Sequence, residues 1–356
     1  MKMREIAKFA FAIAAVIAIS GSPMWGADKE PVILVTRLNG TLKYKRPPST
    51  VASNASVGTV LKPGDVLMLT GDAQVLCSDA SVHKIDAGAP SPVPCPVGVQ
   101  TISYNGKEVF GPRGPQGFVP VVLAPRMTHL LSINPQLRWR GLPGISSYTL
   151  TLIGPDGDWS KKVSGETPMK YPADAPPLKA GASYLLTITA EGIPEVDETP
   201  NLGFSIATDS ERQQVALVRG KIAQADLDSS LKPLMDAAVL ASYGFHAEAI
   251  DELMEQERKS QSALVYRLLA NSYYSIALYN EALAAMQKAF ALYSSGLQVD
   301  ATGSAWAKLH IGLLYSQIGD SQKAAVDLQD AKSRFTALGL DDEAQKVQGY
   351  LQLLSQ

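Results

Sequence analysis

A chain of 356 residues has room for two or three domains at roughly 150 residues each. Its net charge of −2 provides neither a basic footprint for nucleic acid nor a polyanionic tail. A hydrophobic fraction of 46% is that of a globular protein and excludes a disordered one.

The first segment is basic and then apolar. Lys2, Arg4 and Lys8 precede the unbroken run Phe9 to Ile19, the pattern of a secretory signal peptide over residues 1–27. That run of 11 residues is too short to span a bilayer, which takes about 20, and no later stretch reads as a stop-transfer segment. The expectation is an exported chain, periplasmic or secreted, cleaved after Ser20 or near Ala27. The mature chain would hold no integral membrane segment, and no cysteine is placed for a lipid anchor. Cys77 and Cys95 are the only two cysteines. In an oxidising compartment an even count favours one disulfide, over a metal site with no histidine cluster beside it or a free nucleophile. Closing that loop would contribute about 3 kcal/mol.

From Val32 to about Ile85 the apolar residues alternate, at Val32, Leu34 and Leu38, then Val57, Val60, Val66 and Met68, then Val75 and Cys77, with Gly and Asp between. These are short strands. Val57 to Leu67, followed by Thr70-Gly71-Asp72-Ala73 and Val75-Leu76-Cys77, resembles the FecR-type domain of bacterial envelope proteins. The resemblance implies a compact β module over 30–124 that binds or senses, with turns at Gly64-Asp65 and at Thr70-Gly71. Asp65 and Asp72 are then turn residues rather than catalytic acids. Ala87 to Pro125 is rich in proline and glycine, and Gly111, Gly114 and Gly117 read as a flexible joint, since two collagen-like triplets cannot sustain a triple helix.

A second β pattern covers 125–208, with Leu137 and Trp139, Tyr148, Leu150 and Leu152, Tyr184, Leu186 and Ile188, and Leu202, Phe204 and Ile206. The segments Pro135 to Trp139, Tyr148 to Leu150 and Leu178 to Tyr184 resemble a fibronectin type III domain. That resemblance makes Trp139 a core anchor and Tyr184 the residue of a tyrosine corner. Trp159, in the GPDGDWS turn, is the one aromatic that points to stacking on a sugar ring. Thr208 to Asp228 reads as a helical connector.

Residues 212–356 are helical. Val265, Tyr266, Leu269, Ala270 and Tyr273, then Ala282, Ala285, Met286, Ala289 and Phe290, mark two antiparallel helices over Ser262 to Ser294. The unit recurs downstream at Ile311, Gly312, Tyr315, Gly319, Ala324, Leu328 and Ala331, and upstream at Ala237, Leu240, Gly244, Ala249 and Leu253. Matching alanines at 249, 282 and 324 are spaced 33 and 42 residues apart, the longer step holding one extra loop at 294–303. This resembles the tetratricopeptide repeat family, with Asp341 to Leu354 as a C-terminal capping helix. The fold expected is therefore multidomain: two small all-β domains followed by an all-α solenoid.

In that family the first helix of each repeat lines a concave binding face. The resemblance places Leu264, Arg267, Asn271 and Tyr274 there, and Trp306, Leu309, Leu313 and Gln317 in the last repeat. Arg267 and Asn271, one turn apart, would grip a peptide carboxylate through charge-assisted hydrogen bonds; the plainer reading leaves Arg267 solvated and Asn271 filling a turn. Trp306 would anchor a partner or pack on the 294–303 loop.

Little in the sequence reads as chemistry. His83, His129, His246 and His310 are scattered, and no pair has metal-binding helical spacing. There is no nucleophile elbow or phosphate-cradling loop. The pairs Asp226 with Asp228 and Asp341 with Asp342 read as helix starts. No catalytic residue, metal ligand or cofactor is expected. The function expected is a non-enzymatic exported adaptor or scaffold that binds a protein partner in the cell envelope. Two alternatives stand beside it. One is an accessory or regulatory subunit of an envelope enzyme, or a site assembled across domains, marked by a perturbed carboxylate or histidine in a shared cleft. The other is a peptidoglycan or carbohydrate binder.

Overall fold

A computed structural model describes residues 33–49, 51–77, 82–94, 119–165, 167–193, 197, 202–295 and 300–355. The segment read as a signal peptide, Cys95 and the Gly111 to Gly117 joint lie outside the described residues.

The first module is an antiparallel sheet of β1 (Ile33–Lys45), β2 (Ala52–Ala55), β3 (Val60–Leu61), β4 (Val66–Leu76), β5 (Val82–Asp86) and β6 (Ser91–Pro92). Its path is β2-β1-β4-β5, with β3 added to β1 and β6 to β4. The strand period sorts its apolar residues between two faces. Ile33, Val35, Leu42, Leu61, Leu67 and Val75 close a core of their own. Leu34 and Leu76 turn the other way and join the core of the helices.

Asp65 sits in the Lys62 to Asp65 turn as expected. Its carboxylate, 0% exposed, accepts the Lys62 N–H at 2.9 Å and two guanidinium bonds from Arg46 at 2.9 Å each. Burial alone would raise this carboxyl, but the Arg46 fork and the Lys62 N–H together hold it below its ordinary value. Thr70-Gly71-Asp72 corrects the expectation of a second turn, because β4 runs straight through it. Gly71 faces Gly40 across the β1–β4 pair, at φ 96° and 106°. A Cβ on Gly71 would stand 2.0 Å from the Asn39 carbonyl oxygen. The paired glycines take the positive φ that this close approach requires while the pairing continues through them.

The second module is a sandwich of two sheets. One holds β7 (Val121–Ala124), β9 (Gln136–Arg140) and β12 (Met169–Lys170), in the order β12-β9-β7. The other holds β8 (Thr128–Leu130), β10 (Ser147–Gly154), β11 (Gly157–Ser164), β13 (Ser183–Ala190) and β14 (Phe204–Ile206), in the order β11-β10-β13-β14-β8. Because β7 pairs with β9, the sandwich begins ahead of Pro125. Trp139, Tyr148, Leu150, Leu152, Leu186 and Ile188 fill its core. The Lys179 N–H donates to the Tyr184 hydroxyl oxygen at 2.8 Å, which ties the buried ring to the segment before β13.

Eight helices follow among the described residues: α1 (Asp209–Gln224), α2 (Lys232–Ser242), α3 (His246–Lys259), α4 (Ala263–Ser275), α5 (Tyr279–Ser294), α6 (Ala301–Ile318), α7 (Ser321–Ala337) and α8 (Asp341–Leu354). α1 opens on a capping box between Thr208 and Glu211. Each helix from α2 to α8 packs on the next. The turns within hairpins α2–α3, α4–α5 and α6–α7 share one geometry. Gly244, Ala277 and Gly319 take φ of 86°, 56° and 89°. The N–H of the residue after each reaches back five residues, as Phe245 to Leu240, Leu278 to Tyr273 and Asp320 to Tyr315, all at 2.9 Å. This left-handed helix end recurs at the positions matched in the sequence. Ala249, Ala282 and Ala324 are fully buried at the crossings. A Cβ on Gly312 would lie 2.7 Å from the Leu328 side chain and 3.0 Å from its backbone nitrogen. The 294–303 loop is shorter than expected, since Asp300 caps α6 by accepting the Gly303 N–H.

Candidate functional site

The residues expected on an open concave face lie deeper than that reading requires. Arg267, Leu309 and Gln317 are 4%, 6% and 8% exposed, and Leu264 is buried with them. Asn271, Tyr274 and Leu313 are half-buried. Trp306 meets Phe335 edge-on, with ring centroids 5.1 Å apart, and packs against the core of α6, α7 and α8. The cause is that α4 and α6 are apolar or small on nearly every side and pack between neighbours on both flanks. Arg267 is thus a core group. Its charge lies close to buried His310, which burial above all pushes down to about 3. Trp159 is half-buried against the sandwich core.

The structure brings together a different set of residues, at the joint between the sandwich and the helices. α3 begins at His246 with no side-chain cap of its own. The sandwich supplies one, because the Ala247 N–H donates to Thr128 Oγ1 at 3.3 Å while the Thr128 hydroxyl donates to the Gly244 carbonyl at 3.0 Å. The His129 N–H donates to the same carbonyl at 2.9 Å. Glu248 Oε1 returns the contact by accepting the N–H of Leu131 at 2.7 Å. Three arginines complete the joint. Arg126, 1% exposed, donates from Nε to the Ile276 carbonyl at 2.8 Å and pairs with Asp197. Arg138 pairs with Asp251, and Arg140 with Glu281. The first module meets the array one residue before the same turn, where the Tyr243 hydroxyl donates to the Thr36 carbonyl and Arg37 lies over the Tyr243 ring.

Two ionisable groups in this joint are perturbed. Burial pushes His246 down to about 4, helped by the nearby His129. Burial pushes Glu248 up, against the pull of the backbone N–H groups it accepts. Beside them a cleft of about 540 Å³ opens between the sandwich and α3, lined on the helix side by Ala247, Glu248, Asp251, Met254 and Arg258. Among the described residues no group of three or more His, Cys, Asp or Glu could hold a metal ion, and no helix is long and apolar enough to cross a membrane.

Sequence reasoning missed this joint because its partners are far apart in the chain, Arg126 and Ile276 being separated by 150 positions. The apolar N-cap residues Phe245 and Leu278, where Ser, Thr, Asp or Asn is the usual choice, do not single it out, since Leu340 stands in the same position before α8.

No family model matches the chain, and no curated protein matches it. Among solved structures, a crystal structure of MamA aligns with 41% of this chain and 88% of its own, at 21% identity and a TM-score of 0.28. A crystal structure described as Podosopora anserina putative kinesin light chain nearly identical TPR-like repeats aligns with 41% of this chain and 87% of its own, at 15% identity and a TM-score of 0.30. Overlaps this shallow carry no argument about what the chain binds.

Proposed function

We propose that the chain is a non-enzymatic, exported scaffold of the tetratricopeptide type that binds a protein partner in the cell envelope, with FecR-like and fibronectin-like modules for envelope association or sensing. The observation that supports this most is the joint. The chain's own β modules occupy the turns of the first two hairpins, so the helical faces away from those turns are left for a partner. Within the expected face, Asn271, Tyr274 and Leu313 touch the partner. Arg267, Leu309 and Gln317 support them from beneath, and Trp306 holds the last hairpin together. Export removes residues 1–27 and oxidises Cys77, at the end of β4, with Cys95.

The test is capture from envelope extract by the mature chain, comparing wild type with a variant carrying Asn271→Ala and Leu313→Glu. Leu313 packs against the core of α6, α7 and α8, so the variant should unfold at a lower temperature yet keep its helical signal at the temperature of capture, and lose at least about tenfold in one partner's enrichment. Equal enrichment by a folded variant would sink the reading. A second reading, an accessory or regulatory subunit of an envelope enzyme, is favoured by one specific feature, the raised carboxyl of Glu248 beside a cleft shared by two modules.

A further inference from the structure

β11 ends the five-stranded sheet of the sandwich, and it pairs with β10 in unbroken register over 8 residues. Native edge strands are usually short, bulged or interrupted by proline, because an open edge invites another strand. The direction of its polar groups follows from its neighbours. At the end of β10 the Ser147 carbonyl accepts the Glu191 N–H, so the odd-numbered residues of β10 bond to β13 and the even-numbered ones to β11. Tyr148, Leu150 and Leu152 therefore bond to Val163, Lys161 and Trp159. Asp158, Ser160 and Lys162 turn their N–H and C=O groups outward, and among the described residues no hydrogen bond meets those groups.

Lysines on an edge are a common guard against pairing, and here they guard only some registers. Lys161 is held by Asp174 of its own chain at 2.8 Å. Lys162 approaches Glu191 only to 3.7 Å, with both groups exposed, and exposed Asp158 enters no ion pair among the described residues. When β11 pairs with itself in antiparallel fashion, outward residues must meet outward residues, so the two-fold axis passes through a residue rather than between two. An axis at Lys161 or Lys162 sets like charges face to face, and one at Trp159 leaves Asp158 opposite Ser160. An axis at Ser160 sets Asp158 opposite Lys162 twice on the exposed face, and Lys161 opposite half-buried Trp159 twice.

We propose that two copies of this chain join through β11 in the register centred on Ser160, so that two sandwich sheets become one continuous sheet. Asp158, Ser160 and Lys162 of each copy exchange backbone hydrogen bonds with Lys162, Ser160 and Asp158 of the other. The contact is small beside the roughly 1,600 Å² of a standard interface, which makes the dimer an exchanging one. β8, at the far edge of the same sheet, is the strand that meets α3, so pairing at β11 leaves the helical array free for its own partner.

The test is sedimentation velocity of the mature chain over about 1–100 µM, and at least half of it should be dimeric at the upper end. Asp158→Lys and Lys162→Asp each turn both attractive pairs into repulsive ones at exposed positions, and each should raise the dissociation constant at least about tenfold. Made together they exchange the charges and keep the complementarity, so the double variant should return to within about threefold of wild type. The proposal is overturned if the wild type is monomeric at about 100 µM, or if either single reversal leaves association unchanged. It is also overturned if the double variant associates no better than the single ones. No partner protein enters the measurement, so failure here leaves the scaffold reading untouched.

Discussion

α3 and α7 hold equivalent places in their hairpins, yet they begin differently. α7 carries its own cap, with Asp320 accepting the Lys323 N–H at 3.1 Å. α3 carries none and takes one from Thr128, and α5, equally uncapped, has Arg140 of the sandwich paired to Glu281 in its first turn. The first N–H groups of α3 are thus met in part by another module, while α7 meets one of its own and α8, after Leu340, begins with no side-chain cap. The same unit is therefore built in a braced form and an unbraced form.

The strongest way to break this contrast is Arg126→Met, which leaves the Ile276 carbonyl and Asp197 without their buried cation. It should cost about 3–5 kcal/mol in urea unfolding. Hydrogen exchange should quicken at the start of α3 and at the α4–α5 turn while α6 to α8 keep their protection. Quickening spread evenly over all the helices would contradict the brace. The converse change is Gly312→Val, which forces α6 away from Leu328. A cost of about 2–3 kcal/mol is expected, confined to α6, α7 and α8; if the sandwich joint loosens as well, the last hairpin is not separate.

A last effect concerns acid. His246 binds its proton near pH 4 in the folded chain and near 6.5 when unfolded, so between those values the unfolded state holds more protons. Stability should accordingly fall as the pH drops from 6.5 towards 4, by on the order of 3 kcal/mol from this residue. His246→Asn should flatten the midpoint-against-pH curve over that window, and an unchanged slope would remove His246 from the account.

Much of the fold can be read from local pattern. The apolar periods of α4 and α5, the alternation along β10 and β13, and the left-handed turns at Gly244 and Gly319 are short-range consequences of residue type, whereas Ala277 takes φ 56° against its own preference. Trp139 and Tyr184 are core residues, as their size and setting imply. Thr70-Gly71-Asp72 was misread because turn residues also serve to kink a strand, and only the glycine opposite, Gly40, separates the two cases. Arg267 was placed on the right helix but at the wrong depth. A helical wheel gives direction, whereas burial depends on what packs from outside. The joint was the least legible part, and the apolar residues before α3 and α5 did not mark it, since Leu340 precedes α8 in the same way.

Residues Arg126 to His129 hold both the Gly244 turn and the Ile276 carbonyl, so four consecutive positions act as a ruler laid across two successive hairpins. The spacing of those two turns is thereby tied to the length of a short peptide as well as to the packing of α3 on α4. The turn at Gly319 has no such tie among the described residues, so the last hairpin takes its place from helix packing alone.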